Sequence, residues 1–253
     1  MNHSVVTDQL ESLAGRAPAL LLRSVEVGTG LVDGYSLYET HLGEVMVTFN
    51  PRGVTSVDLA EGDREGRFEA RFGRKAAPAQ PPSPWAKEIG RALELGRPGP
   101  LPVDLQGMSE FRQRILGIAA TIPRGQVRPY SWLAMEVGSP GAARAVGSTM
   151  AHNPVPLIVP CHRVVRSDGR IGQYSLGGPD NKWSLLTWEG ADPGRLEELA
   201  AAGFRYVGSA ATGVYCHPTC TNARRIAAEH IQRFRSKESA ASAGYRRCTL
   251  CRP

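Results

Sequence analysis

Between residues 35 and 59 apolar and polar positions alternate with the period of two that a half-buried strand requires. Tyr35-Ser36-Leu37-Tyr38-Glu39-Thr40 is one such run and Glu44-Val45-Met46-Val47-Thr48-Phe49 a second. Residues 54–59 are a third, entered through the turn Asn50-Pro51-Arg52-Gly53. The spacing predicts a meander of short antiparallel strands. Before it, residues 5–13 read as a short helix and residues 19–27 as a strand or a helix start. After it, residues 64–72 read as a polar helix, and the Pro- and Ala-rich stretch 76–84 as an irregular connector. Residues 85–95 then have helical spacing, with Trp85, Ile89 and Leu93 on one face and Gly96 as the stop.

From Ser109 the period lengthens to that of a helix. Ser109 is placed to cap a helix whose apolar stripe is Phe111, Ile115, Ile118 and Ala119, broken by Pro123-Arg124-Gly125. Tyr130-Ser131 opens a second helix with Leu133, Ala134 and Val137 inward, stopped at Gly138. Ser139-Pro140 should restart the chain as N-cap and first helical residue of a third, residues 142–150. Two helices joined by a Gly-containing turn match either a helix-turn-helix or an ordinary helical hairpin. The small residues Ala142, Ala143, Ala145, Gly147 and Ser148 would let the last helix approach a groove closely. Arg144, a long cation among them, has no packing reason to be there, and nearby loops carry Arg124, Arg128 and Arg163. Beyond residue 192 the composition shifts again, with a short helix at 195–202 and then a cysteine-rich end.

Composition narrows the class. At 253 residues, 42% hydrophobic and 21% charged, the chain is an ordinary globular protein with room for more than one domain. No apolar run approaches the ~20 residues that span a bilayer. Met1-Asn2-His3-Ser4 does not open a signal peptide, so the expected location is the cytoplasm, associated with the nucleoid. A net charge of +6 suits a polyanionic partner.

The chemistry concentrates on cysteine. Cys161 stands alone, after the apolar approach Val155, Leu157, Ile158 and Val159 and directly after Pro160, which lacks a backbone donor. His162 and Arg163 set positive charge and a base beside it, the surroundings that raise a thiolate fraction. A lone buried cysteine also serves as a small hydrophobe. The other four form two close pairs, Cys216-x3-Cys220 and Cys248-x2-Cys251, a spacing suited to one tetrahedral zinc ion.

The wider string settles the weighting of Cys161. Asn153-Pro154, Pro156 and Pro160-Cys161-His162-Arg163-Val164 closely resemble the active site of the O6-alkylguanine-DNA alkyltransferase family (methylated-DNA–protein-cysteine methyltransferases). Arg144-Ala145-Val146-Gly147 upstream, and Tyr174-Ser175, Gly177-Gly178 and Glu189-Gly190 downstream, match as well. The resemblance implies irreversible, single-turnover transfer of an alkyl group from guanine O6 in DNA to Cys161, with O4-alkylthymine a second candidate substrate. It implies that the base is flipped out, that His162 is the base through a bridging water, and that Glu189 orients His162. Tyr130 would donate to the departing guanine, and Asn153 would tie the two motifs together. Val164, Tyr174 and Ser175 would line the guanine pocket. Arg144 would fill the vacated stack from a helix carrying Ala142, Ala143 and Gly147 into the minor groove, with Arg163 also on the DNA side. The implied partner is double-stranded DNA, read without sequence preference by a monomer with no membrane attachment.

The C-terminal string Thr212-Gly213-Val214-Tyr215-Cys216, Pro218, Cys220, 243–248 and Cys251-Arg252-Pro253 resembles the zinc-binding methyl-acceptor module of the Ada adaptive-response protein. The resemblance implies zinc on Cys216, Cys220, Cys248 and Cys251, no organic cofactor, and the option of a second transfer at Cys216. Arg224, Arg225, Arg233, Arg246 and Arg247 would hold phosphates. Here the module follows the transferase instead of preceding it. The expected architecture is therefore an α/β scaffold with a small antiparallel sheet (1–84), a mainly α helix-turn-helix active-site domain (85–192) and a zinc-bound module (193–253). The competing function is a non-enzymatic damage sensor or Ada-like transcriptional regulator, which a retained Cys161 argues against.

Overall fold

The computed structural model describes residues 19–253, with side chains from Ser24 onward. The helix expected at 5–13 lies outside the described residues. Residues 19–27 belong to a helix, α1 (Ala19–Thr29), which leads into the meander β1 (Asp33–Thr40), β2 (Gly43–Asn50) and β3 (Gly53–Leu59). The register pairs Tyr38 with Val45 and Val47 with Val57, all antiparallel. Period two divides the sheet's faces. Val45, Val47, Val54 and Val57 enter the main core. Met46 and Tyr35 point the other way and pack on Phe68 of α2 (Arg64–Phe72).

The stretch expected to be irregular contains a short strand, β4 (Ala76–Pro78), parallel to β1 at the sheet edge, in the order β3-β2-β1-β4. Three residues are too few to show alternation, and proline is tolerated at an edge. Helix α3 (Ser83–Leu95) buries Ile89, Ala92 and Leu93 against the sheet's inner face and ends at Gly96, in the left-handed region at φ 62°.

Helix α4 (Glu110–Ala119) is capped by Ser109 as expected, its side chain accepting from Arg112 N at 3.4 Å. β5 (Arg128–Pro129) precedes α5 (Tyr130–Glu136), and α6 (Ala143–Ala151) follows. The helix start expected at Ser139-Pro140 is displaced to Ala143. Ser139 N donates to Ala134 O (2.8 Å) and Ser139 O accepts from Ala142 N (2.9 Å), so these residues complete the end of α5.

Cys161–Arg163 form a single 3-10 turn, followed by β6 (Val164–Val165), which pairs in parallel with β5. α7 (Gly178–Trp188) and α8 (Pro193–Ala201) complete this part. The C-terminal module has a sheet that the sequence pattern did not announce: β7 (Tyr206–Ser209), β8 (Val214–Cys216), β9 (Ile231–Phe234) and β10 (Arg246–Arg247), ordered β10-β8-β7-β9, with α9 (Lys237–Ser242). Its core is the cysteine cluster with Val207 and Ala223, and a second group of Tyr215, Phe234 and Ala240. No described helix is long and apolar enough to cross a membrane.

Candidate active site and metal centre

The loop before Cys161 is shaped by Asn153. Its Oδ1 accepts from Val155 N (3.1 Å), while its Nδ2 donates to Val159 O (2.9 Å) and to Cys161 Sγ (3.2 Å). One side chain thus closes the loop and holds the sulfur. Arg71 fixes the loop from outside through Asn153 O (3.0 Å). Buried Leu157 adopts φ 70°, a left-handed conformation costing a non-glycine residue about 1 kcal/mol or more.

Successive side chains in a 3-10 turn diverge by roughly 120°. Cys161 faces Asn153, and His162 and Arg163 converge on Glu189 at the C-cap of α7. His162 Nε2 lies 2.9 Å from Glu189 Oε1. Arg163 donates from Nε to Oε2 (2.9 Å) and from Nη2 to Oε1 (2.7 Å). Its other donors reach Leu95 O (2.8 Å), Gly96 O (3.2 Å) and Ile122 O (2.8 Å). These are unpaired carbonyls at the ends of α3 and just past α4. Arg163 was expected on the DNA side. Its side chain is 2% exposed with every N–H engaged inside the protein, so that expectation is corrected. Arg128 is corrected likewise: it is buried, donating to Val127 O and Gln126 Oε1. The Glu189 carboxylate is itself 2% exposed and also accepts from Gly125 N (3.1 Å).

Burial sets the site's protonation. It pushes the Cys161 thiol up, opposed by the Asn153 hydrogen bond and the Lys182 charge. It pushes His162 down, against the pull of Glu189, and so favours neutral imidazole. Burial alone would raise the Glu189 carboxyl, but His162 and Arg163 outweigh it and hold the pKa at about 2. With Nε2 on the carboxylate, His162 Nδ1 is buried and has no protein partner among the described residues. Tyr174 packs edge-on against His162 at 6.0 Å, its buried hydroxyl also unpartnered. Burial, and then the nearby Cys161, push Tyr130 up. Ser175 is exposed beside the thiol, and Val164 is buried with its carbonyl held.

On α6 Arg144 is exposed and Ala143 and Gly147 are half-buried, as is Ala142 at its N-cap. Arg124 is exposed and lies 4.1 Å over the Trp188 ring.

Lys182 was missed by sequence reasoning. It is fully buried, and its Nζ donates to Val164 O (2.6 Å) and Gln173 O (3.3 Å). Burial lowers its pKa to about 8, with Cys161 opposing. The available signal was its place one turn before Leu185 and Leu186 on the buried face of α7, where a lysine needs a reason.

Cys216, Cys220, Cys248 and Cys251 place their sulfurs within 4.8 Å of one another, all buried. The set fits zinc, whose ~2.3 Å Zn–S bonds put tetrahedral sulfurs slightly under 4 Å apart. His217 N donates to Cys251 Sγ (3.4 Å) and Asn222 Nδ2 to Cys248 Sγ (3.5 Å), contacts that support thiolates. Hydrogen bonds with Cys220 and Cys251, then burial, push the Cys216 thiol up, while the same neighbours pull Cys220 down; a bound dication would favour the thiolate at all four. The four cysteines are a zinc site.

The family model described as "6-O-methylguanine DNA methyltransferase, DNA binding domain" matches residues 110–191, and "Metal binding domain of Ada" matches residues 197–253. The methylated-DNA–protein-cysteine methyltransferase of Mycolicibacterium paratuberculosis is 47% identical over 87 residues, 34% of this chain. The chain spans about half, 52%, of that relative's length. The Mus musculus protein of the same name is 34% identical over 180 residues, covering 64% of this chain and 83% of its own. The crystal structure of Mycobacterium tuberculosis OGT in complex with DNA superposes with a TM-score of 0.50 at 29% identity, over 65% of this chain and 99% of that one. The chain belongs to the methylated-DNA–protein-cysteine methyltransferase family.

Proposed function

We propose that the protein repairs alkylated double-stranded DNA by moving an alkyl group from guanine O6 to Cys161, once per molecule. The observation that carries this reading is the buried thiol, held by Asn153 beside a His162–Glu189–Arg163 network. In the reaction Cys161 Sγ attacks the alkyl carbon and the bond to O6 breaks. The thiol proton passes through water to His162 Nδ1, the nitrogen left free by Glu189. Tyr130, kept protonated by burial and the nearby Cys161, donates a hydrogen bond to the departing guanine, and the proton held by His162 returns through water to the guanine. A product thioether offers no route back to thiol.

The base has to leave the duplex to reach so buried a sulfur. Arg144, exposed on a helix of small residues, suits insertion into a minor groove whose degenerate code carries little sequence information. Val164, Tyr174 and Ser175 would line the pocket, and Lys182 would fix the Val164 carbonyl for reading the guanine edge. We read residues 1–84 as scaffold, 85–192 as the transferase and 193–253 as the zinc module, which has its own core. The protein acts as a monomer in the cytoplasm, at the nucleoid.

The test is mass spectrometry with peptide mapping after mixing the zinc-loaded protein with excess O6-methylguanine duplex. One methyl on Cys161 is expected, and repeated turnover without consumption refutes the reading. A sensor or regulator would bind the duplex and stay unmodified. A methyl on Cys216 would add a second acceptor.

A further inference from the structure

The segment Gly125–Arg128 lies between the two chemistries and touches both. On one side Gly125 N donates to Glu189 Oε2 (3.1 Å), and the same segment runs through Pro129 into Tyr130. Gly125 has φ 72°, and a Cβ there would sit 2.5 Å from Glu189 O, so the approach demands glycine. On the other side the zinc module grips every residue from 125 to 127. Arg224 donates to Gly125 O. Gln126 Nε2 donates to Thr221 Oγ1 (3.0 Å), and Val127 N to Thr219 Oγ1 (2.9 Å). Thr219 lies inside the Cys216–Cys220 chelate loop, and Arg224 N donates to Cys220 O (3.0 Å). Zinc ligation fixes that loop, so it fixes the hands of the clamp. Arg252, next to the last ligand, adds an ion pair to Glu136 at the end of α5 (2.8 Å).

A continuous chain of contacts therefore runs from Cys220 through Arg224, Gly125, Glu189 and His162 to the turn that carries Cys161. We propose that the zinc module positions the alkyl-acceptor site, with Arg224 and Thr219 as positioning residues that hold Glu189 and Tyr130 in register. The inference rests on Cys161 being the acceptor. It gives the module a role whether or not Cys216 accepts a methyl group. It also gives Arg224, an exposed residue and by sequence a candidate for phosphate contact, a partner inside the protein at Gly125 O.

The experiment uses the full zinc-loaded chain and the variants Arg224→Gln, Arg224→Lys and Thr219→Val. Zinc stoichiometry, duplex affinity and the single-turnover rate of transfer to Cys161 are measured side by side. Displacing a catalytic group by about 1 Å costs up to about a hundredfold. Arg224→Gln and Thr219→Val should therefore keep one zinc and bind duplex within about twofold of wild type, yet transfer about tenfold or more slowly. Arg224→Lys should recover part of the rate. Wild-type transfer rates in both variants overturn the proposal, as does slowing that only tracks lost zinc or lost DNA affinity. A second arm does not depend on transfer: amide hydrogen exchange at Val127 should accelerate when zinc is removed, and unchanged protection overturns the clamp. Should wild-type Cys161 stay unmethylated, the acceptor reading fails, while the exchange arm still decides the clamp.

Discussion

Replacing Glu189 by glutamine tests the polar centre of the site with almost no change of shape. The Glu189 carboxyl moves from an ordinary 4.5 to about 2 in the folded protein. A depression of about 2.5 units at ~1.4 kcal/mol per unit corresponds to about 3 kcal/mol of stability. Removing one member of a buried pair independently suggests about 3–5 kcal/mol, because Arg163 would keep its charge, buried and unanswered. Glu189→Gln should therefore lose about 3 kcal/mol at pH 7, read by urea unfolding of the zinc-saturated protein. The pH dependence gives a second check. A carboxyl depressed by folding contributes fully above its unfolded pKa, and the contribution is lost as pH falls through the folded value. The gap between wild type and variant should thus be constant above pH 4.5, narrow below it, and close near pH 2. A variant within about 0.5 kcal/mol of wild type at pH 7, or a gap indifferent to pH, refutes the reasoning.

Chelating the zinc should unfold the β7–β10 module, since a structural site contributes on the order of 10 kcal/mol, and limited proteolysis should then remove residues 204–253 first. Arg144→Ala should weaken duplex binding and slow transfer while leaving the urea midpoint unchanged, because the side chain is exposed. Lys182→Met should move the pH profile of Cys161 alkylation upward, since the Lys182 charge opposes the burial that raises the thiol; iodoacetamide kinetics against pH measure this.

What the sequence disclosed depended on period and spacing. Strands β1 to β3 were legible as short apolar runs divided by turns, with alternating burial kept only in the second half of β1; β2 and most of β3 are buried on both faces. The cysteine pairs were legible because a tetrahedral site fixes local separations. β4 and the module's strands escaped notice because two to four residues hold too few side chains to display a period. Arg163 escaped for another reason. Its place beside Cys161 suggested a side chain facing DNA, whereas all three residues of the turn are buried and Arg163 is directed onto Glu189 and three backbone carbonyls. The contacts Gly125–Glu189 and Arg224–Gly125 join residues 64 and 99 positions apart, which no local pattern reveals.

Arg163 offers the sharpest contrast between what position suggests and what packing imposes. Its guanidinium has five N–H groups, and all are used: Nε and one Nη2 hydrogen on Glu189, the rest on Leu95 O, Gly96 O and Ile122 O. The fork thus closes the ends of two helices while answering one carboxylate. Lysine keeps the charge but has three donors at a single point, so at least two of these acceptors lose their partner. A buried acceptor left unpaired costs about 1–3 kcal/mol, so with two unpaired Arg163→Lys should destabilise the protein by about 2–6 kcal/mol. The salt dependence of duplex binding should not change, because no phosphate contact is lost. An arginine on the DNA face predicts the reverse: stability within about 0.5 kcal/mol of wild type, with weaker and differently salt-dependent binding. Urea midpoints and binding isotherms across a salt series on the same variant separate the two. The buried geometry is refuted if stability holds and the salt slope moves.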